Sequence, residues 1–479
     1  AGAVVPLLAG AAARADHEAV SGTVRALTGW VLVLLVPAAI LCAVFARPIV
    51  TLVLGGGSGC DAAQLHDVAS SMLRVFAVQI PIYGLTVIAQ GALNAHHRFF
   101  IPALAPLMSS LVVIASYLAY GHEAGTDQGS ISNLSSAGLA LLAWGSTAGV
   151  LVLLLTQVPS MARLHLVGQA PSLRFPAGVG ERARKLAAAG FATVSAQWIA
   201  FVVLLRLANQ HSEAGASLIV TLLWTVFLLP WAVLSYPIVG STFPRLSALF
   251  DAGKTSAFNL TCARTLRAVV VAGSLGAAGV AATADPVADL MLSGAPGSDA
   301  TSVLSSALRV IAPAVLGYAV LNQSARVFFA RHLGRDASVL VAGGWTIAVV
   351  LALIGMTNSP QDETITRLAG AVSIGLCLAA VAAVIQTRRV VGAPAVQGIA
   401  RSVLSSLVAG GLAATAGVLV TKGLTSRWGE FAESWQLHVL NATITSAVVI
   451  GVFAAAMMTL DGGDLRGLVA RLRRRDGIY

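Results

Sequence analysis

Arg74, Arg206 and Arg309 each fall inside a long apolar run. A charged side chain at mid-bilayer costs at least about 2.5–3.5 kcal/mol unless it lines a cavity or meets a partner. A guanidinium is planar and carries five N–H donors. Two of them flanking a path can grip a phosphate or carboxylate bidentately. The competing reading is structural. Arg74 and Arg309 lie about six residues from the outer end of their runs, roughly 9 Å at 1.5 Å per residue, which an arginine stem nearly covers by snorkelling. Gln79, Gln197 and Asn322 are uncharged polar groups within apolar runs and are read as substrate-binding candidates; Gln90, Ser195 and Gln323 are further polar groups mid-run. Interhelical hydrogen bonding is the alternative for each of them.

Other chemistries lack their residues. No carboxylate lies deep in a run, since Asp285 and Asp289 fall at a helix end, so neither a proton relay nor a sodium site is expected. The cysteines (Cys42, Cys60, Cys262 and Cys377) show no metal-ligand spacing, so no metal is expected. The glycine cluster Gly55–Gly59 reads as an outer turn without the lysine of a phosphate loop, and no GxSxG or HExxH string occurs. His96, His97 and His332 fall in cytoplasmic turns and read as solvated. The chain is therefore read as a non-enzyme without a cofactor.

The elements that position these groups are membrane spans. The chain has 479 residues, 57% hydrophobic and 10% charged, with mean hydropathy +0.83. Soluble domains carry roughly a quarter charged residues. Apolar runs of about 20 residues, enough to cross a bilayer, occur near 26–46, 68–93, 100–120, 134–158, 186–208, 216–243, 268–284, 303–329, 337–356, 368–386, 402–421 and 436–459. An incomplete run, 1–13, precedes them and begins without Met; the chain is read as a fragment whose first helix or so is missing.

Basic residues concentrate in alternate loops, including Arg14 and Arg25, Arg163 to Lys185, Arg245 to Arg267, Arg326 to Arg335 and Arg388 to Arg401. The positive-inside rule puts these loops and the C-terminus in the cytoplasm. The formal charge of +10 thus faces anionic lipid, and nucleic acid is not a partner. The Arg471–Arg475 cluster reads as a membrane-surface anchor.

The runs are duplicated. Leu73-Arg74-Val75, Tyr83, Ala95 and His97 recur 235 residues later as Leu308-Arg309-Val310, Tyr318, Ala330 and His332. Pro48, Leu52, Leu54 and Gly56 recur at an offset of 238 as Pro286, Leu290, Leu292 and Gly294. Matched spans cross in the same direction, as parallel repeats do in transporters with a path between two lobes. The fold expected is all-α integral membrane: two parallel-repeat six-helix lobes plus two extra C-terminal helices. Residues 1–170 form the N-terminal lobe, 171–390 the C-terminal lobe, and 391–479 the added helices and a basic tail. Pro230, Pro237 and Pro244, seven residues apart, make 216–246 either a bending element or a statically kinked one.

Several strings resemble the MurJ (MviN) family of the MOP superfamily. They are Ala3-Val4-Val5-Pro6-Leu7-Leu8-Ala9, the run from Ala92 through Leu93-Asn94 and Arg98-Phe99 to Pro102-Ala103-Leu104-Ala105-Pro106, and Ser241-Thr242-Phe243-Pro244-Arg245-Leu246-Ser247. The resemblance extends across the chain through span count and repeat plan. It implies fourteen helices, of which the first and part of the second are missing here, and a flippase that carries lipid II, the undecaprenyl-linked peptidoglycan precursor, from the inner to the outer leaflet of the bacterial inner membrane by alternating access. A cationic cavity would take the diphosphate, the added helices would line a groove for the lipid tail, and cell-wall synthesis proteins would be partners. The chain departs from the family at Thr225 and Leu228, where some members have Arg and Glu, and at Ser110, where the family has Asn. Export of another lipid-linked saccharide or a drug, or a non-transporting scaffold, are the alternatives.

Overall fold

The computed structural model describes residues 4–54, 60–124, 135–212, 215–292, 298–356, 363–428 and 435–460. The Gly55–Gly59 turn and the Arg471–Arg475 cluster lie outside them. The chain forms two compact units, Ala1–Gly190 and Phe191–Tyr479, and the described elements are helical.

The first unit holds α1 (Val4–Ala13), α2 (His17–Val44), α3 (Ala46–Leu54), α4 (Cys60–Ala77), α5 (Gln79–Ala95), α6 (Phe100–Ala124), α7 (Ser136–Leu155) and α8 (Val158–Ala162). Helix α9 (Val179–His211) carries the chain into the second unit. There follow α10 (Ala216–Pro230), α11 (Tyr236–Asp251), α12 (Thr255–Ala282), α13 (Ala284–Leu292), α14 (Ser298–Ala330), α15 (Gly334–Gly355), α16 (Thr364–Val390), α17 (Ile399–Trp428) and α18 (Trp435–Leu460). Among the described residues, 12 stretches are long and apolar enough to cross a membrane.

The duplication is carried by the backbone itself. Helices α2 and α12 have 28 residues each, and α3 and α13 have nine each. Left-handed residues end helices at the repeat offsets: Ala15 (φ 54°) matches Gly253 (φ 66°), and His97 (φ 58°) matches His332 (φ 62°). A non-glycine residue in this region is uncommon, so its recurrence marks equivalent turns.

Helix limits differ from the apolar runs for physical reasons. Helix α2 begins at His17, not near residue 26, because Asp16 caps it by accepting from the Ala19 amide at 3.0 Å. The run 68–93 is broken at Val78 between α4 and α5. Pro81 has no N–H to give the Ala77 carbonyl, and the Val78 amide instead donates to Val75 at 3.2 Å. Pro37 and Pro313, by contrast, lie within unbroken helices.

In the second unit α14 is the most buried span and packs on α12, α15 and α16. Small residues set these distances. A Cβ on Gly317 would come within 2.9 Å of the α16 backbone, and one on Gly375 within 2.7 Å of Ala348 N. The added helices α17 and α18 belong to this unit and pack on α12. Thr421 lies 2.9 Å from Thr445, which donates to Asn441 at 3.1 Å.

In the first unit the segment after α8 is strapped across α2. The Ser172 amide donates to the Arg25 carbonyl at 3.1 Å. Arg25 Nε donates to Ala170 O at 2.9 Å, and Trp30 Nε1 to Leu173 O at 3.1 Å. Gly29 permits the crossing: a Cβ there would stand 2.2 Å from Ser172 O.

Candidate functional site

Helix α10 ends at Pro230, and a π-turn, Trp231–Ser235, joins it to α11. Pro237 cannot donate to Val233, and its ring crowds that carbonyl. The chain widens instead, with the Tyr236 amide donating to Trp231 O five residues back. Such insertions are frequent at functional sites. A Cβ on Gly276 of α12 would come within 2.7 Å of Pro230, so α12 packs directly against this turn. Pro244 sits in unbroken α11; of the three prolines, only the first two bracket the irregularity.

The turn delivers Trp231 to Tyr318 of α14, ring centroids 5.2 Å apart, and Phe227 and Trp345 flank the same tyrosine at 5.6 and 6.0 Å. Two sequence candidates meet here. Tyr318 donates its hydroxyl to Gln197 Oε1 at 3.0 Å, and Asn322 Nδ2 donates to the Tyr318 carbonyl at 2.9 Å. Ser235 Oγ, Trp231 Nε1 and Trp345 Nε1 are buried without a hydrogen-bond partner. An unmade bond to a buried polar group costs about 1–3 kcal/mol, so this region carries unused donors.

Gln79 lies apart from that cluster. The break at Val78 makes it the first residue of α5, and it donates to Thr147 of α7 at 2.9 Å. Arg74 is exposed in the last turn of α4, where the helix dipole favours a cation, and no acceptor holds it among the described residues. Arg206 is half-buried on α9.

Arg309 differs from its repeat partner Arg74. Its guanidinium donates to both carboxylate oxygens of Asp285 on α13. At the offset of 238 the place of Asp285 is taken by Arg47, which pairs with Asp67 of α4 at 3.2 Å. Each unit thus clips its short helix (α3 or α13) to the next helix by an ion pair, with the polarity exchanged. Sequence symmetry between Arg74 and Arg309 did not extend to their partners.

Arg326, which counting basic residues by loop groups with Arg331 and Arg335, is placed within a span by the structure. It lies within α14, half-buried, with its guanidinium over the Phe243 ring of α11 at 5.4 Å. Tyr236 and Tyr318 are its electrostatic neighbours. Such cation–π contacts are worth about 0.5–2 kcal/mol. The signal available was its place inside the 303–329 run.

On α13, burial pushes the Asp289 carboxyl above the usual carboxylate range; His438 opposes the shift and Asp285 adds to it. Asp289 Oδ2 stands 3.7 Å from His438 Nδ1 on α18. No metal-holding group of His, Cys, Asp and Glu occurs among the described residues. A cavity of about 520 Å³ lies under the strap on α2, lined by Asp16, Glu18, Arg25, Arg174 and neighbours. None of the nominated residues lines it, so it belongs to the strap.

A sequence profile described as "Lipid II flippase MurJ" matches residues 2–439. The chain is 26% identical over 223 residues to a curated relative, lipid II flippase MurJ of Burkholderia cenocepacia; the match takes in 45% of this chain and 40% of that relative. The chain thus spans well under two thirds of that relative's length. Among solved structures it is similar to a lipid II flippase MurJ in an inward closed conformation, with TM-score 0.62 and 15% identity over 95% of this chain and 90% of that one. It is also similar to an inward-facing multidrug resistance MATE family transporter of the MOP superfamily, with TM-score 0.65 and 15% identity over 82% and 86%. At 15% identity these structural matches speak for the fold.

Proposed function

Since the chain belongs to the lipid II flippase MurJ family, we propose that it carries lipid II from the inner to the outer leaflet of the bacterial inner membrane. The observation that carries this reading is a set of arginines held within apolar helices whose sequence matches that family. Arg74, exposed beside the α4–α5 break, and Arg206 on α9 offer guanidinium forks to the diphosphate. Arg309, nominated with them from the sequence, is engaged by Asp285. Gln197 and Asn322, gathered at Tyr318, supply amide donors and acceptors to the saccharide, and Gln79 does so on α5. The π-turn at Trp231–Ser235 lets α10 and α11 change their mutual angle as access alternates. The C-terminus faces the cytoplasm, by the distribution of basic loops, and cell-wall synthesis proteins are the neighbours this role implies.

Ion-coupled drug export, the alternative to carriage of a lipid, calls for an ionisable relay within the spans. Among the described residues no carboxylate lies mid-span, which favours the lipid reading. Complementation of a strain depleted of its own flippase tests it. Full-length protein is expected to restore growth, and Arg74→Ala to fail at normal membrane levels. Full rescue by Arg74→Ala removes that residue from the site, and failure of the unaltered protein removes the reading.

A further inference from the structure

We propose that Arg326, and not Arg309, is the cation of the second unit that takes the lipid diphosphate. The inference rests on the lipid-carrier reading above and names the residue that does its work.

Arg309 already holds an anion. Its Nη2 donates to both oxygens of the Asp285 carboxylate, so a negative charge already stands beside this cation. The counterpart clip, Arg47 with Asp67, joins equivalent helices with the charges exchanged. A contact that tolerates either polarity serves to tie helices together, and its arginine is not reserved for a ligand.

Arg326 has the opposite surroundings. It lies 17 residues further along α14, about 25 Å at 1.5 Å per residue, toward the end read as cytoplasmic. Its charge rests on the Phe243 ring, with the Tyr236 and Tyr318 phenols as neighbours. Among the described residues no carboxylate or carbonyl accepts from its guanidinium. A guanidinium whose charge rests over a ring face keeps its N–H donors for a ligand. Arg331, five residues further along the chain, is engaged by Val390 O, to which it donates. Arg326 is therefore the half-buried cation of α14 whose donors remain open to two phosphate oxygens.

Direct binding to purified full-length protein in lipid nanodiscs tests this, with lipid II and undecaprenyl diphosphate as probes. Arg326→Ala is expected to weaken both by about tenfold or more, the scale of a lost charge-assisted bond. Arg326→Lys should recover part of the loss. Arg309→Ala and Asp285→Asn should stay within about twofold of wild type, because the clip is not the binding group. Phe243→Leu separates binding from bracing. If the cation only braces α14 on α11, Phe243→Leu and Arg326→Ala lower the melting temperature alike and leave affinity intact, which overturns the proposal. Equal affinity of Arg326→Ala and wild type overturns it too, as does a loss confined to Arg309→Ala. Wild-type protein that binds neither probe refutes the carrier reading itself.

Discussion

Gly29→Ala should lift the strap off α2 while leaving the helix intact. A Cβ at position 29 would stand 2.2 Å from Ser172 O, a distance that backbone cannot accept without moving. The displaced segment gives up three hydrogen bonds: Ser172 N to Arg25 O, Arg25 Nε to Ala170 O and Trp30 Nε1 to Leu173 O. At about 1 kcal/mol each, the strap loses roughly 3 kcal/mol. At 1.4 kcal/mol per decade that is about a hundredfold rise in opening. The helix gains about 1 kcal/mol from alanine over glycine, so α2 itself should not fray. Hydrogen exchange of a peptide spanning 163–178 reads this directly, with α7 as the internal control. The Ser172 amide should exchange about two decades faster and α7 unchanged. Trp30→Phe, which removes one bond of the three, should produce about a fivefold rise by the same arithmetic. Unaltered protection of the strap in Gly29→Ala would refute the clamp, and collapse of α7 protection would show that the unit, not the strap, had failed.

Asp289→Asn tests the raised carboxyl on α13. Burial favours its protonated form in the folded protein, with Asp285 adding to that and His438 opposing. Its contribution to stability is therefore present below the unfolded-state value and lost as pH rises through the folded one. The amide stands in for the protonated acid, so the variant should melt higher than wild type at neutral pH, with the gain vanishing on acidification; a gain largest in acid would contradict this. Thr445→Val removes the bonds to Thr421 and Asn441. At about 0.6 kcal/mol per bond within a membrane, it should lower unfolding stability by roughly 1 kcal/mol, and unchanged stability would show the network to be idle.

Spans and duplication could be read from the sequence because both rest on local signals. Apolar runs must match the bilayer, and Leu73-Arg74-Val75 repeats as Leu308-Arg309-Val310 at a fixed offset. Helix starts were not, because α2 and α12 continue past hydrocarbon into polar sequence at His17 and Thr255. The strap was hidden for a different reason. Its contacts end on main-chain carbonyls, which leave no residue-type signature. Within the candidate site, Gln197 and Asn322 were nominated singly, while Tyr318, which joins them, carried no polar signal distinct from other aromatics. The surroundings of the arginines were the least legible. Arg309 has its partner 24 residues away on another helix, and Arg326 is set apart by Phe243, a ring on α11.

The central claim is movement of lipid II across the bilayer, and the direct measurement is lipid II on the outer face of cells depleted of their own flippase. With full-length protein expressed, a membrane-impermeant reagent that cleaves lipid II should find its substrate restored, and with Arg326→Ala or Arg74→Ala it should find little above the depleted background. Cells that carry normal membrane levels of the unaltered protein yet expose no more lipid II than the depleted control would contradict the account.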